Sequence, residues 1–286
     1  MDYRIIIYLV RERTCLNIMI KVFNDNNIFI MGDIHGDYLP IQNFMFNKNL
    51  NKNTILIILG DFSSNYYLNE KDLIFKEKLE KYNITYFIIR GNHEYRPSEC
   101  AAGIVKNKNK TTWKNKIFFD NDVLYEEEFP SILYAKDGPA IYNINGHKTL
   151  VLPGAYSIDK YYRLEKNFMW NQTEQPNKEE MEEGLEIAAK NAPFDLILSH
   201  TCPDAWMPRD LFLKGVDQKM VDRTTEYWLQ EIECSTKYKA WCFGHFHDFR
   251  KYSKFFSSCN GQPIMFFNNA LSLNQIFNLA ENSESF

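Results

Sequence analysis

Histidine and aspartate recur in short polar segments along the chain, each directly after a short apolar run. The segments are Gly32-Asp33-Ile34-His35-Gly36, Gly60-Asp61, Gly91-Asn92-His93-Glu94, Ser199-His200 and Gly244-His245-Phe246-His247. In Asp33-x-His35 and His245-x-His247, side chains two residues apart in an extended segment point the same way and can reach one ion. Imidazole nitrogens with carboxylate and amide oxygens, and no thiolate, suit Mn²⁺, Fe, Zn²⁺ or Ni²⁺. A lone histidine after a strand is more often structural, but this series predicts a metal centre.

The apolar runs predict the elements that position these segments. Runs at 28–31, 55–59 and 86–89 predict strands buried on both faces, with helical spacing at 39–47 and 69–82 between them. Right-handed crossovers in a β-α-β-α-β order bring all three strand ends to one edge of a parallel sheet. A second, mixed sheet is predicted by later runs at 141–144, 149–152, 196–198, 240–243 and 264–267, with helices near 178–190 and 220–233. The predicted fold class is α/β.

Composition excludes several classes of protein. The 286 residues fit one α/β domain with insertions, and 33 basic against 37 acidic residues give a net charge of −4. A net negative charge does not favour electrostatic binding of nucleic acid by the protein as a whole. Six cysteines without regular spacing argue against a disulfide framework and for a reducing, cytoplasmic location, and no apolar stretch reaches membrane-spanning length.

Three segments are expected to lie outside the catalytic core. Residues 1–18 precede Met19 and are predicted to be an N-terminal extension, with 5–10 as an edge strand or a partner contact. Segment 97–130 is predicted to be an insertion near or over the site, whose lysines contact a polyanion or simply keep a loop solvated. Segment 154–178, rich in aromatic residues, is predicted to be a second insertion near or over the site. It would form either a lid that stacks on nucleobases or a cap that packs on the core.

The five segments in this order resemble those of the calcineurin-like metallophosphoesterases, in the manner of small bacterial and phage-borne members. The resemblance covers residues 28 to about 247. It implies a two-sheet α/β/β/α sandwich with its active site at the C-terminal ends of strands. It also implies a hydrolase that acts on a phosphodiester, nucleotide or small phosphomonoester through a hydroxide held by two divalent ions, with Mn²⁺ the first expectation.

The same resemblance assigns roles to individual residues. Asp61 would bridge both ions, and His93 would stand beside them as proton donor or phosphate contact. The first ion would be completed by Asp33, His35 and His247, and the second by Asn92, His200 and His245.

One departure weakens an alternative reading as a phosphoprotein phosphatase. Ser64 and Asn65 occupy the places where that branch carries an aspartate that orients the histidine and an arginine that grips phosphate. Arg96 or Arg163 could replace the missing clamp, and Tyr161 and Tyr162 are further candidates for substrate contact. A non-catalytic scaffold of the same fold is a third reading, disfavoured because no candidate ligand is missing. The sequence does not indicate an oligomeric state.

Overall fold

The computed structural model describes residues 4–12, 15–46, 50, 52–252 and 261–282. The strands in these ranges are β1 Arg4–Glu12, β2 Cys15–Phe23, β3 Ile28–Met31, β4 Ile55–Leu59, β5 Thr85–Ile89, β6 Trp113–Phe118, β7 Asn121–Glu126, β8 Ile132–Tyr134, β9 Ala140–Ile144, β10 His147–Leu152, β11 Phe194–Ser199, β12 Tyr238–Phe243, β13 Arg250–Lys251, β14 Gln262–Met265 and β15 Leu271–Ser272. The α-helices are α1 Leu39–Phe46, α2 Glu70–Glu80, α3 Pro97–Ala101, α4 Lys160–Glu165, α5 Lys178–Asn191, α6 Thr224–Ser235 and α7 Leu273–Asn282.

Two mixed sheets form the centre of the fold. The first has the order β15-β3-β4-β5-β8-β7-β6, in which β3, β4, β5 and β8 are parallel. The second has the order β13-β14-β12-β11-β10-β9, in which β10, β11, β12 and β14 are parallel. The parallel strands fall in the middle of each sheet, as their nearly continuous apolar sequences require.

Alternating side chains place each sheet between a shared core and a helical layer. In β3, Ile28 and Ile30 lie in the core between the two sheets, whereas Phe29 and Met31 pack with side chains of α1 and α2. Strand β12 alternates in the same way between the shared core and the layer formed by α5 and α6. The layers are therefore α/β/β/α, and the predicted fold is confirmed. None of the helices in the described ranges is long and apolar enough to cross a membrane.

Part of segment 97–130 belongs to the first sheet, and that this segment is an insertion near or over the site remains a prediction. Strands β6 and β7 form a hairpin that extends the first sheet at the edge beyond β8, and Phe118 and Val123 enter the shared core. The pattern of apolar residues did not predict strand β6, because β6 is an edge strand whose residues are mostly solvated, including Lys114. Charged and solvated residues are common at sheet edges. Lys106, Lys108 and Lys110 lie in the exposed approach to this hairpin.

Residue 18, the predicted end of the N-terminal extension, lies within a strand. Strands β1 and β2 form an antiparallel hairpin, and Met19 pairs with Tyr8 across it. That residues 1–18 lie outside the catalytic core remains a prediction.

Helices α5 and α6 cover the second sheet through a contact that requires a glycine. A Cβ atom at Gly184, in the middle of α5, would lie 2.4 Å from Cζ2 of Trp228 and 3.1 Å from Cγ of Pro139. Trp228 is buried, and its indole N–H donates to the Met181 carbonyl at 2.8 Å, so the ring is held in place. The close approach of the two helices therefore depends on the missing side chain.

We expect Gly184→Ala to lower the free energy of unfolding by about 1 to 2 kcal/mol. Helix propensity alone would favour alanine by about 1 kcal/mol. Overpacking costs about 1 to 3 kcal/mol in general, and a contact of 2.4 Å with a fixed ring belongs to the upper part of that range, about 2 to 3 kcal/mol. Gly215→Ala is the control, because nothing lies within 4 Å of a Cβ there. Urea unfolding followed by circular dichroism measures both, and an unchanged or higher midpoint for Gly184→Ala would contradict this packing argument.

Candidate metal centre

The candidate ligands follow the C-terminal ends of five strands from both sheets. Asp33 and His35 follow β3, Asp61 follows β4, and Asn92 follows β5. From the second sheet, His200 follows β11, and His245 and His247 follow β12. Three groups have ligand atoms within 4.8 Å of one another: Asp33, His35 and His247; His35, Asp61 and His93; and Asp33, Asp61 and His200.

Two buried carboxylates lie at the centre of these groups. Asp33 and Asp61 are each only 1% exposed. Oδ1 of Asp33 accepts the backbone N–H of His245 at 2.8 Å, and Oδ1 of Asp61 accepts that of His93 at 2.7 Å. Each carboxylate is thus oriented by a backbone amide, which leaves its second oxygen for another partner.

Glycines make this approach of backbone to carboxylate possible. A Cβ at Gly244 would lie 2.4 Å from Oδ1 of Asp33, and one at Gly91 would lie 2.1 Å from Oδ1 of Asp61. Any larger residue at either position would displace a carboxylate. Glycine is therefore required at these two motif positions, because there is no room for a side chain.

Charge balance in the cluster depends on His200. Burial by itself raises the pKa of both Asp33 and Asp61, but the neighbouring histidines, His200 first among them, together outweigh it, and the pKa of each carboxyl is lowered. Burial likewise disfavours the charged form of His200, but Asp61 and Asp33 together raise its pKa to about 9. A buried pair of carboxylates needs a positive charge nearby, and a divalent cation can supply it.

The first group has ring nitrogens and a carboxylate oxygen converging on one point. Nε2 of His35 lies 2.8 Å from Nε2 of His247, which lies 3.4 Å from Oδ2 of Asp33. Nε2 of His35 is 3.8 Å from Oδ2 of both Asp33 and Asp61. Oδ2 of Asp33 is buried and has no hydrogen-bond partner among the described residues. The lone pairs of the two ring nitrogens and of this carboxylate oxygen therefore converge, which is the arrangement that a bound cation requires.

His200 is held with its second nitrogen facing oxygen atoms. Nδ1 lies 2.6 Å from the carbonyl of Leu59, while Nε2 lies 2.8 Å from Oδ1 of Asn92 and 3.4 Å from Oδ1 of Asp61. If Nδ1 donates to the carbonyl, neutral His200 presents only a lone pair at Nε2, which cannot bond to oxygen. Either a proton or a metal ion must lie between these atoms, so the donor set fits a metal here as well.

Asn92 is oriented by residues that the motifs did not indicate. Its Nδ2 donates to Oγ of Ser157 at 2.9 Å, and that hydroxyl donates to Oε2 of Glu174 at 2.5 Å. The amide oxygen of Asn92 is thereby turned toward His200. Groups that orient a ligand in this way tune metal affinity. Ser157 lies in segment 154–178, but its pairing with Glu174 is visible only in the fold.

His245 contacts the centre most clearly through its backbone N–H, which donates to Asp33. Its ring is not in any of the three groups, and its centroid lies 4.9 Å from that of His200. Burial, followed by the neighbouring His200, lowers the pKa of His245 to about 3. The imidazole is therefore neutral at ordinary pH, as a metal ligand must be.

Strained backbone accompanies the ligands. His35, Asp61, His245 and His247 have φ values of 50°, 49°, 71° and 53°. Residues with side chains rarely adopt this left-handed region, and each such residue costs about 1 to 3 kcal/mol. Left-handed backbone also occurs at positions away from the ligands, such as Leu68 and Asn145, but at these four it fixes the direction of a ligand side chain.

Arg163 lies against the ring of His93. Its Nη2 is 3.2 Å from both ring nitrogens, while Nε pairs with Asp159 at 2.7 Å and Nη1 donates to the Tyr66 hydroxyl at 2.7 Å. Burial, and then the charge of Arg163, lower the pKa of His93, although Asp61 opposes them. The short helix α4 thus brings a fixed guanidinium next to the ligand groups.

The other predicted substrate contacts lie elsewhere or face solvent. Arg96 pairs with Glu180 at 2.5 Å and donates to the carbonyls of Thr173 and Gln175, so its guanidinium serves to hold the segment that follows α4. Tyr161 and Tyr162 are 60% and 55% exposed on α4. That these three residues contact substrate remains a prediction.

Ser64 and Asn65 also point into the fold. Oγ of Ser64 lies 2.9 Å from the Tyr134 hydroxyl, and Asn65 accepts from Nζ of Lys76 at 2.8 Å. Lys76 forms a buried ion pair with Glu126. Among the described residues, the partners of these two side chains are thus Tyr134 and Lys76, whereas Arg163 is a charged side chain that contacts the His93 ring.

Comparisons with known proteins give a family match. Residues 27–249 match the model of the family described as calcineurin-like phosphoesterase. Similar solved structures include the protein TT1561 of Thermus thermophilus (10% identity, 87% of this chain and 94% of that chain, TM-score 0.45) and a dimetal phosphatase from Danio rerio (10%, 84% and 87%, 0.44). Another is phosphopantetheinyl hydrolase from Mycobacterium tuberculosis (11%, 85% and 90%, 0.41). No curated protein matches the chain. Because the family model spans most of its length, this chain belongs to the calcineurin-like phosphoesterases and is a hydrolase of ester bonds.

Proposed function

We propose that this phosphoesterase hydrolyses a phosphodiester, a nucleotide or a small phosphomonoester, using two divalent ions, first of all Mn²⁺. Asp61 bridges the ions in this proposal. The first ion is completed by Asp33, His35 and His247, and the second by Asn92, His200 and His245. The observation that carries the proposal is the position of His93, which lies between a fixed guanidinium and the ligand groups.

The ions and the chain divide the work. When bound, the ions supply positive charge for the phosphoryl oxygens and lower the pKa of a water to about 7. The carboxylates are held by backbone amides, so little reorganisation is needed when ions bind. Positive charge localised here lets a chain of net charge −4 attract an anionic substrate.

Arg163 is proposed to bind a phosphoryl oxygen. Its Nε and Nη1 are held by Asp159 and Tyr66, so the guanidinium is already oriented. Charge-assisted hydrogen bonds from arginine to phosphate are strong and directional. Arg163 thereby takes the place of the clamp that Asn65 does not provide.

His93 is proposed to protonate the leaving oxygen. Because a guanidinium only donates hydrogen bonds, the contact with Arg163 belongs to the neutral form of His93, in which one ring nitrogen can accept. To protonate the oxygen that leaves, His93 must first take up a proton, and the imidazolium then gives that proton up and returns to the neutral form. The backbone N–H of His93 stays on Asp61, which ties the donor to the metal centre.

We expect protein loaded with Mn²⁺ to hydrolyse p-nitrophenyl phosphate or its bis ester, and protein stripped with a chelator to be inactive until Mn²⁺ is restored. The charge balance at Asp33 and Asp61 requires the cation for both binding and chemistry. A plate assay of p-nitrophenolate release, with metal analysis of each sample, measures this. Full activity in protein shown to contain no metal would contradict the proposal.

We expect His93→Ala and Arg163→Ala to differ in their dependence on the leaving group. His93→Ala should reduce turnover about 10² to 10⁴-fold on alkyl phosphates, whose alkoxide needs a proton, and much less on p-nitrophenyl phosphate. Arg163→Ala should lower kcat/KM by a similar factor for both, because the phosphoryl group is common to them. Steady-state kinetics on the two substrates measure the contrast.

The control is Lys166→Ala, at the end of the same helix and half exposed. It should leave the rates on both substrates unchanged. Equal losses for both substrates in His93→Ala, with metal content preserved, would show that His93 does not protonate the leaving group.

A further inference from the structure

A second cavity opens on the side of the centre formed by His245 and His247. It holds about 210 Å³, and those two histidines contribute to its wall. Most of the remaining lining is apolar, including Tyr156, Phe212 and Phe246. It shares no lining residue with a polar hollow whose lining includes His35, His93 and Lys71. The ligand groups therefore border two cavities, one apolar and one polar.

Two polar side chains in the apolar cavity have unused hydrogen-bonding atoms. Oε1 of Glu226 accepts from Oγ1 of Thr201 at 2.9 Å, but its buried Oε2 has no hydrogen-bond partner among the described residues. Nε2 of Gln218, also in the lining, is likewise buried and without a partner in the described ranges. A buried polar atom left unpaired costs about 1 to 3 kcal/mol, which a ligand can recover.

These features define the chemistry of an occupant. Aromatic and aliphatic walls favour a flat, largely apolar group, since aromatic faces stack on rings. An acceptor at Glu226 and a donor at Gln218 require a complementary donor and acceptor on the occupant. A plain alkyl or phenyl group would leave both atoms unpaired, and a bare sugar would place hydroxyls against apolar walls. A nucleobase meets both requirements.

We propose that this cavity, lined by Tyr156, Phe212, Gln218 and Glu226, binds the base of a nucleotide whose phosphoryl group lies at the metal centre. The inference rests on the proposed phosphoesterase function and narrows its substrate to nucleotides or their esters. His245 and His247 connect the two parts, since they line the cavity and belong to the centre. In an ester of a nucleotide, the polar hollow beside His93 is left for the alcohol that departs while the nucleotide stays bound.

The test compares binding of nucleoside 5′-monophosphates with binding of ribose 5-phosphate, by calorimetry on the Mn²⁺-loaded protein. Stacking and hydrogen bonding of the base should make nucleotides bind at least about tenfold more tightly. Val221→Trp, which fills the cavity wall, should remove most of that advantage. Met220→Trp, at a neighbouring position that is 64% exposed, is the matched control and should retain it. Glu226→Gln should change the order of affinity among the bases.

The outcomes separate this inference from the proposed function. Equal affinity for ribose 5-phosphate and nucleotides, or a base preference that survives Val221→Trp, would overturn the base site even if p-nitrophenyl phosphate is hydrolysed. Base-dependent binding that is sensitive to Val221→Trp, in a protein that hydrolyses no phosphate ester, would support the base site and reject the proposed hydrolysis. Because Val221→Trp and Glu226→Gln change different features, failure of one variant to fold leaves the other as a test.

Discussion

Burial of the carboxylates Asp33 and Asp61 at the common edge of two sheets is the constraint on which the rest of the structure depends. Removing two negative charges from water costs several kcal/mol per ion unless they are compensated. The chain compensates them with a backbone amide for each and with the raised pKa of His200. Divalent ions would complete that compensation. The buried negative charge of the two carboxylates therefore both favours metal binding and makes the local structure more stable when metal is bound.

Several features of the fold follow from bringing backbone so close to these carboxylates. Gly91 and Gly244 lack the Cβ atoms that would collide with the carboxylates. Left-handed backbone at His35 and at Asp61 turns the polypeptide back toward the cluster at both positions. The parallel strands provide the rigid frame that holds this strain. Behind the cluster, Ser157 and Glu174 orient Asn92, so a segment outside the motifs contributes to the centre.

Much of the fold could be predicted, for identifiable reasons. Strands such as β3 and β4 were located because parallel strands buried on both faces carry continuous apolar runs. The hairpin β6–β7 was missed because an edge strand has no such signal. The ion pair of Arg96 with Glu180 could not be predicted either, because an arginine near a motif gives no sign of its partner. The contact of Arg163 with His93 joins residues 70 positions apart, so the sequence could not predict it. The same holds for the atoms of Glu226 and Gln218 that have no partner among the described residues, because a missing partner is visible only in the tertiary structure.

The most direct measurement is anomalous scattering from crystals of the protein grown with Mn²⁺. The account predicts two manganese peaks at this cluster, one beside Asp33, His35 and His247 and one beside Asn92, His200 and His245, with Asp61 contacting both. A single peak, or manganese bound away from Asp61, would contradict the claim that the buried carboxylate pair organises a two-ion centre.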